Sequence, residues 1–261
     1  MKFSIITATF NAEKHLNSCL RSIHSQLFDK SNFEHIIQDN CSTDRTFEIA
    51  SEFPSLFYAE KDSGQSDGFN KAVRRARGEY VILLDADDIL LPDTLRLYDR
   101  ALSKVNADVI YGNILLIDQN DKLLNKFYSV PFNKAYLLIG LFCPPSNGIC
   151  IRKDALINNV FDVNHHYNMD TEWFLRCYHK LEFFFVNEFV AKYRFHESNK
   201  TNSLLSNDHI SQEIIIERGK LEILYRNNSI LYRSKIIRNT FKMTYFFRKL
   251  LVVIRYKISS F

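Results

Sequence analysis

Glycine and proline are scarce, with 7 and 5 copies in 261 residues. That scarcity argues against long disordered, collagen-like or low-complexity stretches, and no internal repeat is found. The five cysteines, Cys19, Cys41, Cys143, Cys150 and Cys177, are odd in number and contain no CxxC pair. They argue against a zinc knuckle and for a reducing, cytosolic setting. No apolar run reaches the ~20 residues that a membrane span needs. The opening MKFSIITATFN reads as a first β-strand rather than a signal peptide, because threonines break its short apolar run. Acidic residues are missing altogether from Ile223 to Phe261, where nine basic ones stand: Arg226, Arg233, Lys235, Arg238, Lys242, Arg248, Lys249, Arg255 and Lys257. Taking those nine from the total of 34 leaves 25 basic against 30 acidic residues. The chain is thus an acidic body of net charge −5 with a basic, aromatic-rich tail.

What is present is ordinary for a soluble globular protein: 46% hydrophobic and 25% charged residues. The length suits one α/β unit with appendages. FSIITATF (3–10) is an apolar, β-branched strand ending at Asn11, followed by a helix over 12–28 with Leu16, Cys19, Leu20, Ile23 and Leu27 at helical spacing. FEHIIQD (33–39), LFYAEK (56–61) and EYVILLD (79–85) read as further strands, separated by helices after Ser42 and over 66–77. This alternation predicts a parallel sheet with helices on both faces. Ligands bind beyond the carboxyl ends of such strands, and Asn11, Asp39, Glu60, Asp62 and Asp85–Asp88 fall there. Farther on, 108–118 and 122–128 form a hairpin, 133–142 a short helix, CPPSNGICIRKDAL a loop, strand and turn, and 169–181 a helix. EFFFVN and VAKYRFH read as two strands, and 207–226 as a long helix.

The most charged of these ends is LLDADD, with Asp85, Asp87 and Asp88 in four positions. Like charges this close repel unless something positive sits between them. If the extended geometry persists, Asp85 and Asp87 point to the same side. Oxygen-only ligands of that kind suit a hard divalent cation, Mg²⁺ or Mn²⁺, completed by phosphate oxygens. The alternative is that these residues only open the loop before a helix at Pro92. In the tail, Lys235, Arg238, Lys242, Lys249 and Lys257 cluster on one helical face, which suits an interfacial helix on anionic lipid. A basic helix packed on the domain is the alternative. No recognised motif supports nucleic-acid binding.

Taken together, ITATFNAEKHL, QDNCSTDRT and EKDSGQSDGFNKAVRRARGEY running into LLDADD resemble the family 2 glycosyltransferases of GT-A fold. The likeness is closest to the bacterial enzymes of O-antigen, capsule and exopolysaccharide synthesis, and it spans about residues 1–200. It implies a GT-A-like (Rossmann-like), mainly parallel α/β sheet flanked by helices. Residues 1–204 would be catalytic, with a nucleotide-sugar half (1–105) and an acceptor half (106–204), and 205–261 a helical, basic extension. The resemblance places Thr7, Thr9, Asn11 and Asp39 at the base and ribose of the donor, although Asp39 or Ser42 equally suits a helix cap. It places Glu60 and Asp62 near ribose and base, and Gly64, Asp67 and Asn70 under the donor. Asp87 becomes the direct metal ligand, with Asp85 nearer the ribose or donor sugar. In MDTEWFLR, Asp170 becomes the general base, with Glu172 its backup and Trp173 packing near an acceptor sugar; an N-cap role for Asp170 is the alternative. In YRFH, Arg194 and His196 alternate to one strand face and would reach diphosphate or metal. Pro144, Pro145 and Ser146 would shape the acceptor loop.

Departures stand at Cys41 and Arg45, where the family usually has glycine, at Asn40, often an acid, and at Met169, which leaves an acidic pair incomplete. A left-handed backbone at 41 would strain a cysteine. The implied activity is metal-dependent, inverting transfer from a nucleotide-diphosphate sugar, UDP-linked by expectation, to a glycan or lipid-linked acceptor. The expected place is the cytoplasmic face of the membrane, held peripherally by the tail. Rival readings are a non-catalytic sugar-nucleotide or glycan-binding scaffold, which needs no base at Asp170, and a phosphatase, whose D-x-D sits on a first strand.

Overall fold

A computed structural model describes residues 1–196, 212–229, 232, 234, 238–246 and 248–250. The start of the long helix expected at 207, and the tail cations Arg233, Lys235, Arg255 and Lys257, lie outside the described residues.

Nine strands among the described residues form one sheet: β1 (Phe3–Thr9), β2 (Phe33–Asp39), β3 (Leu56–Ala59), β4 (Tyr80–Leu83), β5 (Ile89–Leu90), β6 (Val109–Ile117), β7 (Leu123–Phe127), β8 (Cys150–Arg152) and β9 (Phe183–Arg194). Their order is β3-β2-β1-β4-β8-β6-β9-β5, with β7 paired to β6. The first four pair in parallel. Strands β1 and β2, rich in β-branched residues, are buried almost throughout, as parallel strands covered on both faces must be. Beyond β4 antiparallel pairings join the parallel ones: β8 runs antiparallel to β4 and β6, β6 and β9 are parallel, and β5 is antiparallel to β9.

Helices cover both faces. On one side lie α1 (Leu16–His24) and α4 (Thr94–Leu102), the latter burying Leu95 and Tyr98, with α2 (Thr46–Ser51) beside α1. On the other lie α3 (Gln65–Arg75), α5 (Lys134–Leu138), α6 (Lys153–Asn158) and α7 (Met169–Cys177), around Phe69, Tyr136, Trp173 and Phe174. The close fit of α3 to the sheet needs Gly78, where a β-carbon would lie 2.5 Å from the Ser4 nitrogen. The last long helix, α8 (Gln212–Asn228), packs against α7.

Two expected elements differ in kind. The sequence predicts two strands, over 182–187 and 190–196; a single strand β9 runs through them as far as Arg194, with register shifts opposite Tyr111–Ile114 absorbing the interruption. The turn expected after Arg152 is the helix α6. The apolar run of the fourth strand also stops early, at Leu83. Asp85–Asp88 therefore form a turn, closed by the Asp88 N–H donating to the Asp85 carbonyl at 3.1 Å. Strand alternation does not set the direction of their side chains.

Candidate active site

The three carboxylates of that turn occupy three environments. Asp85 and Asp87 are part-exposed, while Asp88 is fully buried. Asp85 Oδ1 accepts from Gln65 Nε2 at 2.6 Å. Asp87 Oδ2 lies 2.8 Å from His196 Nε2. Asp88 turns inward, accepting from the Arg194 backbone N–H at 2.9 Å and from the Asn147 amide. Burial, then the charges of Asp87 and Asp85, push the Asp88 carboxyl well above its ordinary range. One oxygen from each of the three lies within 4.8 Å of the others. Two part-exposed carboxylates, with the buried Asp88 behind them, gather oxygen donors of the kind that fit a hard divalent cation.

Arg194 corrects an expectation. Its side chain is only 1% exposed. Nε donates to the Asp87 carbonyl at 2.8 Å, and Nη2 pairs with Asp121 at 2.7 Å. The guanidinium braces the turn from beneath and is not free to reach a diphosphate. Behind His196 stands His15, its ring 5.3 Å away. Burial and the nearby Arg194 charge lower the His15 pKa to about 4, and its Nε2 has no partner among the described residues.

The neighbouring strand ends form a second cluster. Asp39 is buried, and its carboxylate accepts from Thr9 Oγ1 (2.7 Å), Ser42 N (2.7 Å) and Ser42 Oγ (2.6 Å). A carboxylate has about four acceptor positions, so one remains for a ligand donor. Asn11 and Cys41 both sit in the left-handed region, at φ 48° and 53°. The cysteine thus holds the backbone shape for which glycine is the usual residue. Asn11 Oδ1 accepts from Thr43 N at 3.0 Å, which pins the two loops together. Thr7 does not reach the rim: it is fully buried and bonded to His35 Nε2 at 3.1 Å, which corrects its assignment to the donor base.

Around the start of α3, Gly64 adopts φ 124°, inaccessible to other residues without strain. Its N–H donates to Asp62 Oδ1 at 2.9 Å, and Asn40 Oδ1 accepts from Asp62 N at 2.8 Å. Burial raises the Asp62 pKa. Asp67 accepts from Ser63 N at 3.1 Å. Glu60 is exposed and paired with Lys71 (2.9 Å) and Arg75 (2.7 Å). Asn70 is buried and bonded to both backbone polar groups of Phe161 at 2.9 Å. It ties α3 to that loop and offers nothing to a donor, a second correction among these residues.

Asp170 opens α7. Its Oδ1 accepts from Thr171 N at 2.7 Å, Ser146 also donates to it, and burial raises its pKa. Ser146 therefore touches Asp170 while its neighbour Asn147 touches Asp88, so one short loop joins the two acidic centres. The start of α3 makes a parallel link: Gln65 holds Asp85, and Ser66 Oγ lies 3.3 Å from Met169 Sδ. Two residues of α7 correct the sequence reading. Trp173 is fully buried, with Nε1 donating to the Asn159 carbonyl at 2.5 Å, so it cannot pack on an acceptor. Glu172 is 5% exposed with both oxygens bonded to Arg176, at 2.7 and 3.0 Å, so it is neither a base nor an acceptor contact. Gln65, Asn147, Ser66 and His15 were absent from the sequence reading. They are loop and cap residues with no periodic signal; only their closeness to Gly64, Pro145 and Asn11 marks them.

A parallel half with carboxylates at its strand ends, joined to a mixed half that carries a separate part-buried carboxylate, defines an α/β protein with two linked acidic centres. The chain belongs to glycosyl transferase family 2, which matches residues 4–177. It is 32% identical over 116 residues to the poly(ribitol-phosphate) β-N-acetylglucosaminyltransferase TarS of Staphylococcus aureus, covering 42% of this chain and 20% of that protein. It is 28% identical over 147 residues to the Escherichia coli UDP-Glc:α-D-GlcNAc-diphosphoundecaprenol β-1,3-glucosyltransferase WfgD, covering 54% of this chain and 57% of that one. The matched part is thus about a fifth of the first relative and just over half of the second. The fold superposes on the S. aureus TarS crystal structure with UDP at a TM-score of 0.63 and 21% identity, covering 85% and 71% of the two chains. It also superposes on Mycobacterium tuberculosis glucosyl-3-phosphoglycerate synthase, solved with Mn²⁺, UDP and product, at 0.59 and 14% identity, covering 85% and 79%. These likenesses establish the GT-A fold.

Proposed function

We propose that the chain is a metal-dependent, inverting glycosyltransferase. It moves a hexosyl or N-acetylhexosaminyl group from a UDP-sugar to a glycan or lipid-linked saccharide in cell-surface polysaccharide synthesis, of which lipopolysaccharide is one kind. The observation that carries the reading is the joined pair of acidic centres: the Asp85–Asp88 turn with His196 on Asp87, and the part-buried Asp170 bridged to it by Ser146–Asn147. WfgD, by its name, uses UDP-glucose and a diphosphoundecaprenol-linked sugar, and relatives of this fold are crystallised with UDP and Mn²⁺.

Asp87 and His196 would hold Mn²⁺ or Mg²⁺, with Asp85 toward the donor sugar. A cation there supplies charge neutralisation for a departing diphosphate. Asp39, through its remaining lone pair, accepts the N3–H of uracil; Thr9 and Ser42 orient it. Asp62, Gly64 and Asp67 shape the floor beneath the ribose, and Glu60 clamps α3 to the rim. Asp170 takes the proton of the attacking hydroxyl. Its raised pKa makes it a stronger base than an exposed aspartate. With Asp170 as the base on the acceptor side, a single displacement by the deprotonated hydroxyl inverts the anomeric carbon as the diphosphate leaves. Residues 1–105 serve the donor, 106–204 the acceptor, and 205–261 attach the enzyme peripherally to the cytoplasmic face through anionic lipid. Among the described residues no helix is long and apolar enough to cross a membrane.

The test is a two-arm measurement. Calorimetry should show UDP binding more tightly with Mn²⁺ than with EDTA, and Asp87→Ala should erase the difference. Asp170→Asn should bind UDP like wild type yet transfer sugar at least about a hundredfold more slowly across a panel of donors and acceptors. Equal UDP affinity with and without metal sinks the metal site. Unimpaired turnover in Asp170→Asn sinks the base, whereas no turnover in either protein favours the binding scaffold.

A further inference from the structure

The helical tail (238–246 and 248–250) is apolar on two sides. Its inner face docks on the acceptor half: Phe241 and Tyr245 meet the Tyr136 ring edge-on, with centroids at 6.2 and 5.4 Å. The outer face carries Met243, Phe246 and Leu250, exposed at 65, 65 and 46%. Spacings of three and four put these three along one stripe. A helix packed on a water-soluble domain ordinarily turns its apolar stripe inward and keeps a polar face outside; here a second stripe faces out.

Beside it stands β7, an edge strand exposed along its whole length, with Leu123 at 48% and Phe127 at 41%. The Lys249 ammonium sits 4.9 Å over the Phe127 ring, so strand and helix end are neighbours. Exposed cations border both elements, Lys122 and Lys126 on the strand and Lys242 on the helix, while Arg248 turns inward over the Tyr136 ring at 5.6 Å. Neither 122–127 nor the chain from Ile223 onward contains an acid, and the two acids next to them in sequence, Asp121 and Glu222, are paired with Arg194 and Arg226, each at 2.7 Å. Outside the tail and 122–127, 23 basic residues stand against 30 acidic ones, a net −7 that an anionic surface repels.

We propose that the tail helix and β7 form one composite face that seats on an anionic bilayer, inserting Met243, Phe246 and Leu250 together with Leu123 and Phe127. This rests on the membrane attachment proposed above but goes beyond it: attachment is apolar as well as electrostatic, and the β6–β7 hairpin shares it. The face also fixes an orientation. Tyr245 packs 6.2 Å from Phe142, which shares one buried apolar cluster with Met169, the residue before Asp170. An acceptor anchored in lipid thus arrives on the side where Asp170 stands.

The test is co-flotation of the full chain with phosphatidylcholine vesicles containing phosphatidylglycerol, against phosphatidylcholine alone. Two variants preserve charge and remove insertion: Met243→Gln/Phe246→Gln/Leu250→Gln, which keeps good helix formers, and Leu123→Gln/Phe127→Gln on the exposed strand. Wild type should float with the anionic vesicles. The helix variant should lose at least tenfold in partition, about 1.4 kcal/mol, and the strand variant at least threefold, while UDP binding stays unchanged in both as a check on folding. A strand variant that floats like wild type overturns the composite face yet leaves tail attachment standing. A helix variant that floats like wild type shows that attachment is electrostatic alone. Wild type that stays unbound at low salt overturns membrane attachment itself. A concentration-dependent dimer in light scattering that both variants dissolve would then assign the face to a second copy of the chain.

Discussion

Replacing Arg194 by methionine separates a brace from a ligand. The side chain is 1% exposed and its donors reach the Asp87 carbonyl at 2.8 Å, the Asp118 and Gln119 carbonyls at 3.2 and 3.3 Å, and Ser18 Oγ at 3.3 Å. The Asp121 partner is half-exposed, so that ion pair contributes little. The short bond to Asp87 is charge-assisted and contributes roughly 1.5–3 kcal/mol. The three longer contacts add on the order of 1 kcal/mol together, because hydrogen bonds weaken with length. Methionine fills the aliphatic stem and removes the desolvation cost of a buried cation, which offsets part of the loss. The net expectation is about 3 kcal/mol of destabilisation. For a chain of this size that lowers Tm by roughly 6–12 °C.

The functional readout follows from where the brace acts. It holds the backbone of Asp87, so its loss should weaken UDP binding in the presence of Mn²⁺ and leave binding in EDTA unchanged. Differential scanning calorimetry gives the first quantity, and titration calorimetry well below the variant's Tm gives the second. The reasoning is refuted if Tm moves by less than about 2 °C, under 1 kcal/mol, while UDP affinity falls equally with and without metal. That outcome would make Arg194 a direct phosphate ligand, as the family resemblance implies.

Two further predictions concern stability. Cys41 is exposed with φ 53°; a left-handed L-residue costs roughly 1–2 kcal/mol, and glycine gives back about 0.4–1 kcal/mol through its freer unfolded chain. Cys41→Gly should therefore stabilise by up to about 1 kcal/mol in urea titration, and a clear loss would show that the thiol is held by something else. Burial raises the Asp170 pKa, so its carboxyl favours folding when protonated and that contribution is lost as pH rises above the unfolded value of ~3.9. Asp170→Asn should be more stable than wild type at pH 7, with the difference closing toward pH 4; a variant less stable at pH 7 would mean that the charge is needed at the start of α7.

The first half of the fold was legible because β-strands and helices there are long enough to show their periods, and their polar ends all fall on one rim. The second half was not. Strands β8 and β5 have three and two residues, too few for an alternation to be read, so their antiparallel pairing was invisible. Arg194 and His196 seemed to share a strand face, but β9 ends at Arg194, and alternation does not carry across that end. In α7 six of the nine residues are buried, and the acid Glu172 is among them with Met169, Trp173 and Phe174. Because polar character there does not mark exposure, spacing from Asp170 could not tell a rim residue from a core one. The strain at Cys41 was legible, because it follows from local backbone chemistry and not from packing.

The density of charge in DADD has a structural resolution that precedes any ligand. The turn splits the three acids: Asp88 goes inside, where burial and its neighbours favour the uncharged form and Arg194 N and Asn147 bond it. Asp87 faces an imidazole, and Asp85 an amide. The rim then carries two carboxylates whose mutual repulsion is eased by dipoles and a histidine, a net negative patch that a dication satisfies better than either partner does. Asn147 sits beside Ser146, which bonds Asp170, so a displacement of the turn would pass through one peptide unit to Asp170. Two acidic centres on separate halves of the sheet are thereby tied through this loop as well as through the start of α3. Substituting Asn147 should disturb both centres, where substituting Gln65, which itself bonds only Asp85 of the two, should act chiefly on the turn.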